Sequence, residues 1–322
     1  MADEDVDLDL LRASAREFLA ERGDSGTVKD LAAMDWTGLL VDEVMGGVGW
    51  RPVEACVVAE ELGRAQDGSA WFGTTMGAAA LASAPEDVRQ QWLPGLLAGS
   101  HCSLTAGFAT RGEAARIIRG DQVDMVIILG RNGIHLLRDV DRDRFELDAD
   151  LLDVTRTAWR VDVADAPSAL IGSAERADEL TAVARLLVAA DSVGAVSMTL
   201  ERLTAYLKER IAFGAPIASF QAVQHRLVEL LVFEVKARAV IMRAARAVAS
   251  ADQRATLLAA AAHAFVAAKA TAAVDECMQL SGGIGFTWEY PLHHELRRVF
   301  TNGHLVGTAR SSRALVAEVS GW

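Results

Sequence analysis

Residues 277–308 read CMQLSGGIGFTWEYPLHHELRRVFTNGHLVGT. The stretch opens as the last turn of an alanine-rich helical segment and then meets Gly282, Gly283 and Gly285, so the helix must stop there. Glycine also lets a backbone come close to a ligand, because no Cβ stands in the way. Gln279, one turn before the glycines, could hydrogen-bond the same ligand. Taken by themselves, the glycines need signify no more than a helix C-cap followed by a turn.

Upstream, residues 206–225 read YLKERIAFGAPIASFQAVQH. Together the two blocks match Y-x-x-x-R-x-x-F-G-x-P-I-x-x-F-Q-x-x-Q-H and, further on, Q-x-x-G-G-x-G-[FY]-x-x-E-Y-P, with an arginine-bearing helix and a Gly-Thr pair after it. Both patterns, in this order, resemble the C-terminal domain of the flavin-dependent acyl-CoA dehydrogenases, and the chain is identified as a member of that family. Nearer the N-terminus, Trp36, the Gly46-Gly47-Val-Gly49 loop and Glu60-Glu61-Leu-Gly63-Arg64-Ala65 are similar to further family landmarks, although Val44-Met45 stands where that loop usually reads P-E-x.

The resemblance implies a mainly α, acyl-CoA dehydrogenase-like fold in three parts. These are an N-terminal helical domain over residues 1–100, a reduced β domain over 101–172, and a C-terminal long-helix bundle over 173–322. The residues read the same way. Leu10 to Arg22 is amphipathic, and the runs Met125–Leu129 and Gly133–Leu137 sit between Gly, Asn and Asp as short strands do. Asp178 to Ile211 and the stripe Val223, Leu227, Leu230 and Leu231 follow helical spacing. Pro216 and the segment 249–252 mark helix junctions, and four or five antiparallel helices are expected. Apolar stripes on more than one face of such helices point to packing between subunits.

Composition narrows the function classes. At 322 residues and 51% hydrophobic, the chain can bury a large core. A formal charge of −12 argues against a nucleic-acid partner, which would need clustered Lys and Arg. Cys56, Cys102 and Cys277 lack metal-ligand spacing and read as reduced, structural thiols. The acidic N-terminus is unlike a signal peptide, and no long apolar run free of charge or His suggests a membrane partner, so a cytoplasmic location is expected. His263, inside the alanine-rich helix, reads as a core or interface residue.

The family's functional residues carry over unevenly. By resemblance, Arg210, Phe213, Gln279, Gly282 and Gly283 correspond to residues that bind the pyrophosphate and adenosine end of an FAD held by a neighbouring subunit. A guanidinium suits a diphosphate because its N–H groups pair with several oxygens. The plainer role for Arg210 is a helix C-terminal arginine facing the dipole. The catalytic base is missing from both places where the family keeps it. Val306 precedes Gly307-Thr308, and Ala184 occupies the alternative position on the helix leading to Arg210. Asp191 lies about 10 Å further along that helix and is a poor substitute. Both it and Glu201 read as solvated or capping groups. Leu104–Phe108 stands where the family presents a T-E-P-type strand, and the W-[IV]-[ST]-N pattern that flanks the flavin ring is absent.

One arrangement accounts for all of this. The chain resembles the short, base-lacking subunit of heterotetrameric (α2β2) acyl-CoA dehydrogenases of actinobacteria, many of which act in steroid catabolism. The resemblance then implies a full-length acyl-CoA dehydrogenase subunit as partner, FAD shared with it, an acyl-CoA bound at the partner's site, and electron-transfer flavoprotein as electron acceptor. Leu305 and Phe300 are expected to fill any vestigial acyl pocket here. Two other classes stay open: a non-catalytic homo-oligomeric binding or scaffold protein, and a non-redox homologue of the family.

Overall fold

A computed structural model describes residues 7–23, 26–99, 103–106, 115–118, 125–137, 145–147, 151–161 and 168–321. The chain begins with five helices: α1 (Leu8–Arg22), α2 (Val28–Ala32), α3 (Pro52–Arg64), α4 (Trp71–Leu81) and α5 (Glu86–Leu97). Asp7 starts α1 by accepting the amides of Asp9 and Leu10 at 3.0 and 3.1 Å, which satisfies two donors that a helix start leaves unpaired. Pro52 opens α3, where its missing N–H costs nothing. Between α2 and α3, a two-stranded ribbon pairs β1 (Leu40–Val41) with β2 (Gly49–Trp50).

Seven strands follow: β3 (Ser103–Ala106), β4 (Ala115–Ile118), β5 (Met125–Gly130), β6 (Gly133–Leu137), β7 (Phe145–Leu147), β8 (Ala158–Val161) and β9 (Ser168–Gly172). They form a four-stranded sheet of order β3-β5-β6-β9 and a three-stranded sheet of order β4-β8-β7. The two apolar runs singled out in the sequence are neighbours, β5 and β6, paired antiparallel from Val126↔Leu137 to Gly130↔Gly133. Val126, Ile127, Leu129, Ile134, Leu136 and Leu137 are all buried, because this hairpin packs on α6.

The remainder is helical: α6 (Ala174–Glu209), α7 (Gln221–Ala249), α8 (Ala255–Ser281), α9 (Leu292–Leu305) and α10 (Ala309–Val319), with a small hairpin of β10 (Ile211–Ala212) and β11 (Ala215–Pro216) between α6 and α7. The 36-residue α6 is the axle of the molecule and touches α3, α7, α8 and α9. Its crossing with α3 is a backbone-to-backbone approach. A Cβ on Gly194 would stand 1.8 Å from the Glu60 carbonyl oxygen, and one on Gly63 would stand 2.0 Å from that of Asp191. Only glycine permits this distance.

The Glu60-Glu61-Leu-Gly-Arg64 motif therefore organises the fold. Glu61 accepts Arg16 Nε and Nη2 at 3.0 Å each, Glu60 accepts Arg238 Nε and Nη2 at 2.9 and 2.7 Å, and Arg64 pairs with Glu201. These pairs fasten α1, α7 and α6 to α3. Two helical stretches, Ala174–Glu209 and Ala255–Phe286, are long and apolar enough by composition to cross a membrane. The most apolar window of the first is 89% buried inside the protein, as a core helix should be. Cys56 and Cys277 are free, buried thiols. Desolvation raises both, with Cys277 pushed up to about 12. Cys102 lies outside the described residues.

Candidate functional site

The residues proposed to meet a ligand lie on the outside of the bundle. Arg210 caps α6, its amide donating to Tyr206 O at 2.9 Å, and it makes no side-chain hydrogen bond or ion pair among the described residues. Its solvent-exposed side chain is followed by the β10–β11 hairpin, whose two-residue turn is Phe213-Gly214. Both turn residues have positive φ, +53° and +80°, the pattern of a type I′ turn, which favours Asn, Asp or Gly. Phe213 holds this strained conformation with its side chain 99% exposed, touched only at the edge by the Phe220 ring, 6.4 Å away.

The glycine block ends α8 nearby. Gly282 takes φ +68° as the C-cap, and its amide donates to Gln279 O. Gly285 must be glycine for an internal reason, since a Cβ there would meet Met278 O at 2.4 Å. At Gly283 a Cβ would meet nothing within 4 Å among the described residues. Gln279, Gly282 and Gly283 are all exposed. The Tyr206 and Tyr290 rings, 5.8 Å apart, bring the last turn of α6 against the segment that follows the glycine block.

The two base positions are buried and apolar. Val306 is 4% exposed and Ala184 1%, both within the main hydrophobic core. Leu305 is partly buried against that core, whereas Phe300, also expected to fill a vestigial pocket, is not. It is 43% exposed beside His304, because α9 turns Leu292, Glu295, Arg298, Val299 and Asn302 inward and leaves Phe300 on the opposite face.

Asp191 also differs from the sequence expectation, being neither solvated nor a cap. Arg298 donates to it through Nε at 2.8 Å and Nη2 at 2.6 Å, and Asn302 Nδ2 adds a third bond at 2.6 Å. Burial alone would raise this carboxyl, but the charge and hydrogen bonds of Arg298, with Arg156 and Asn302, hold it below the usual carboxylate value. The network continues from Asn302 Oδ1 to Arg156 at 2.7 Å, from Arg156 to Asp153 at 2.5 Å, and from Arg298 Nη1 to the Asp67 carbonyl at 2.9 Å. A carboxylate held by three donors and two nearby guanidinium charges is a structural anchor and a poor proton acceptor. Glu201, by contrast, is an open-surface group paired with Arg64.

Several buried carboxyls escaped the sequence reading, Asp153 and Glu295 among them. Glu295 is wholly buried and paired with Arg202 Nη1 at 2.5 Å. Desolvation, opposed by Arg202, raises it above the ordinary value. It lies three helical turns before Val306, about 16 Å along α9, far from the base position. His263 is a core residue as expected, 1% exposed, with Nδ1 2.9 Å from Ser312 Oγ, and burial lowers it to about 4. Leu104–Ala106 begins the strand where a flavin-ring contact was sought, while Gly107 and Phe108 lie outside the described residues.

The chain matches the acyl-CoA dehydrogenase N-terminal domain over residues 7–100 and the C-terminal domain over 174–321. It is 33% identical to acyl-CoA dehydrogenase IpdE2 of Mycolicibacterium smegmatis over 87% of this chain and 83% of that protein. It is 31% identical to acyl-CoA dehydrogenase FadE34 of Mycobacterium tuberculosis over 89% of this chain but 41% of that protein. Its structure superposes on a variant of the Tcur3481-Tcur3483 steroid ACAD with a TM-score of 0.82 at 22% identity, covering 98% of this chain and 97% of that one. Fold, motifs and relatives agree: the chain belongs to the acyl-CoA dehydrogenase family.

Proposed function

We propose that this chain is the base-lacking subunit of a cytoplasmic, heteromeric, FAD-dependent acyl-CoA dehydrogenase, and that its outer edge completes an FAD site on a full-length partner subunit. The reaction is the α,β-desaturation of an acyl-CoA thioester, of steroid origin by analogy with the steroid ACAD on which the chain superposes, in an α2β2 assembly that passes electrons to electron-transfer flavoprotein. The observation that carries this reading is a contrast on one helix. Ala184, near the start of α6, is sealed in apolar core where a carboxylate would be needed, while Arg210, at its end, presents a guanidinium unpartnered among the described residues.

The exposed edge fits the distal end of FAD. Arg210 would hold pyrophosphate oxygens, Gln279 would hydrogen-bond the adenosine end, and the open space at Gly283 would let the backbone approach closely. Phe213 would cover the cofactor's apolar surface. When bound, FAD supplies the hydride acceptor of the desaturation. The α-proton must go to a carboxylate, and with Val306 and Ala184 in the base positions that carboxylate would belong to the partner.

Two further observations support a heteromer. On α7, Val228, Leu231, Val232 and Val235 form an outward apolar stripe, 42–56% exposed, besides the buried stripe through Leu230, Ala237 and Ile241. A helix that is apolar on two sides has a second packing partner. FadE34, which carries a region like this chain in less than half its length, also has room for a second such region in one polypeptide.

The test is purification of the tagged chain from its own cells and, separately, expressed alone. Flavin absorbance in the complex with a second acyl-CoA dehydrogenase chain, with colourless protein when expressed alone, is expected. A yellow, partner-free homo-oligomer would refute the proposal.

A further inference from the structure

The outward stripe of α7 contains a regular seam. Val228, Val232, Val235, Ala239 and Met242 recur at alternating spacings of four and three residues, the pattern of a helix that packs along its length against another helix. The first four are exposed and Met242 is half-buried. They lie on the side of α7 turned away from Leu230, Ala237 and Ile241, which face the core.

The charges beside the seam identify what fits it. On one flank stand Glu229 and Lys236, both exposed and neither in an ion pair within the chain among the described residues. When such a helix pairs antiparallel with its own copy about a two-fold axis, the same flank of both copies comes together. With the axis near Phe233, Val232 packs against Val235 of the second copy and Val228 against Ala239. Glu229 of each copy then stands beside Lys236 of the other, while Arg243 meets the uncharged Ala222. Sliding the pair by seven residues either way opposes Lys236 to Lys236 or Glu229 to Glu229. A parallel pair would join this flank to the opposite one, where Gln224 and Leu231 carry no charge. The antiparallel arrangement with this register alone uses both free charges.

We propose that α7 pairs antiparallel with α7 of a second copy of this chain, closing the seam about a two-fold axis near Phe233 with two Glu229–Lys236 ion pairs across it. The α2β2 assembly proposed above contains two copies, but the contact rests on this chain's own surface and stands without that reading.

Sedimentation equilibrium of the full chain, purified alone at micromolar concentrations, tests this. The parent should be dimeric. Val235→Glu, at an exposed position beside the axis, should weaken the dimer at least about a hundredfold by setting an unpaired carboxylate into the contact, with helical circular dichroism unchanged. Glu229→Lys and Lys236→Glu should each weaken it about tenfold by opposing like charges, and the double swap should restore it. A monomeric parent, whose seam would then be left for the full-length subunit, overturns the inference. So does a dimer that Val235→Glu leaves intact, or a double swap that is no tighter than the single swaps.

Discussion

The interior between α6 and α9 and the outer edge formed by the β10–β11 hairpin and the glycine block are built by opposite rules. Inside, the charges of Asp191, Arg298, Arg156 and Asp153 are matched by partners from this same chain, and the base positions are apolar. On the edge, the side chains of Arg210 and Gln279 have no partner among the described residues, Phe213 is displayed in a strained turn, and Gly283 faces open space. The interior charges are paired within the chain, whereas the edge is, on the function proposed above, unfinished. On that function, apolar packing stands in the core where a carboxylate would be needed, and the surface groups would meet a cofactor held by the partner.

The largest expected effect breaks the interior. Asp191→Ala leaves Arg298, 2% exposed at its side chain, without its carboxylate, and removing one member of a buried pair costs about 3–5 kcal/mol. Denaturant unfolding of the isolated chain measures it. The pH dependence has a definite sign. Because the folded-state value of Asp191 is depressed, its stabilisation is present above the unfolded carboxylate value near 4 and is lost as pH falls through the lower folded value. The gap between parent and Asp191→Ala should therefore narrow only in acid. Next in size, Gly194→Ala forces a methyl into the Glu60 carbonyl and should cost about 3 kcal/mol, the upper range for overpacking, or prevent folding.

Edge substitutions should behave in the reverse way. Arg210→Ala should leave the unfolding of the isolated chain unchanged, yet weaken FAD retention in the complex by about 1.5–3 kcal/mol, roughly tenfold or more. Unaltered retention, measured by flavin release on dilution, would remove Arg210 from the cofactor site. The smallest effect is the most telling in sign. Phe213→Gly relieves a positive φ and should stabilise the isolated chain by up to about 1 kcal/mol, while the assembled complex loses cofactor affinity.

Much of this contrast was legible before any coordinates. The helical stripes, the β5–β6 pair, the helix junctions and the apolar residues at 184 and 306 follow from periodicity and motif position, which are local. What the sequence did not reveal is long-range. Asp191 reads as a surface acid on its helix until Arg298 arrives more than a hundred residues later. Glu295 and Phe300 share α9, and which face turns inward is decided by α6 and α8, not by their neighbours in sequence.

The most direct test of the unfinished edge is the amount of FAD released per polypeptide when the purified complex is denatured. An edge that completes a cofactor held by a partner predicts one FAD for every two chains. One FAD for every chain would mean that this subunit cradles a flavin of its own, and would contradict the account.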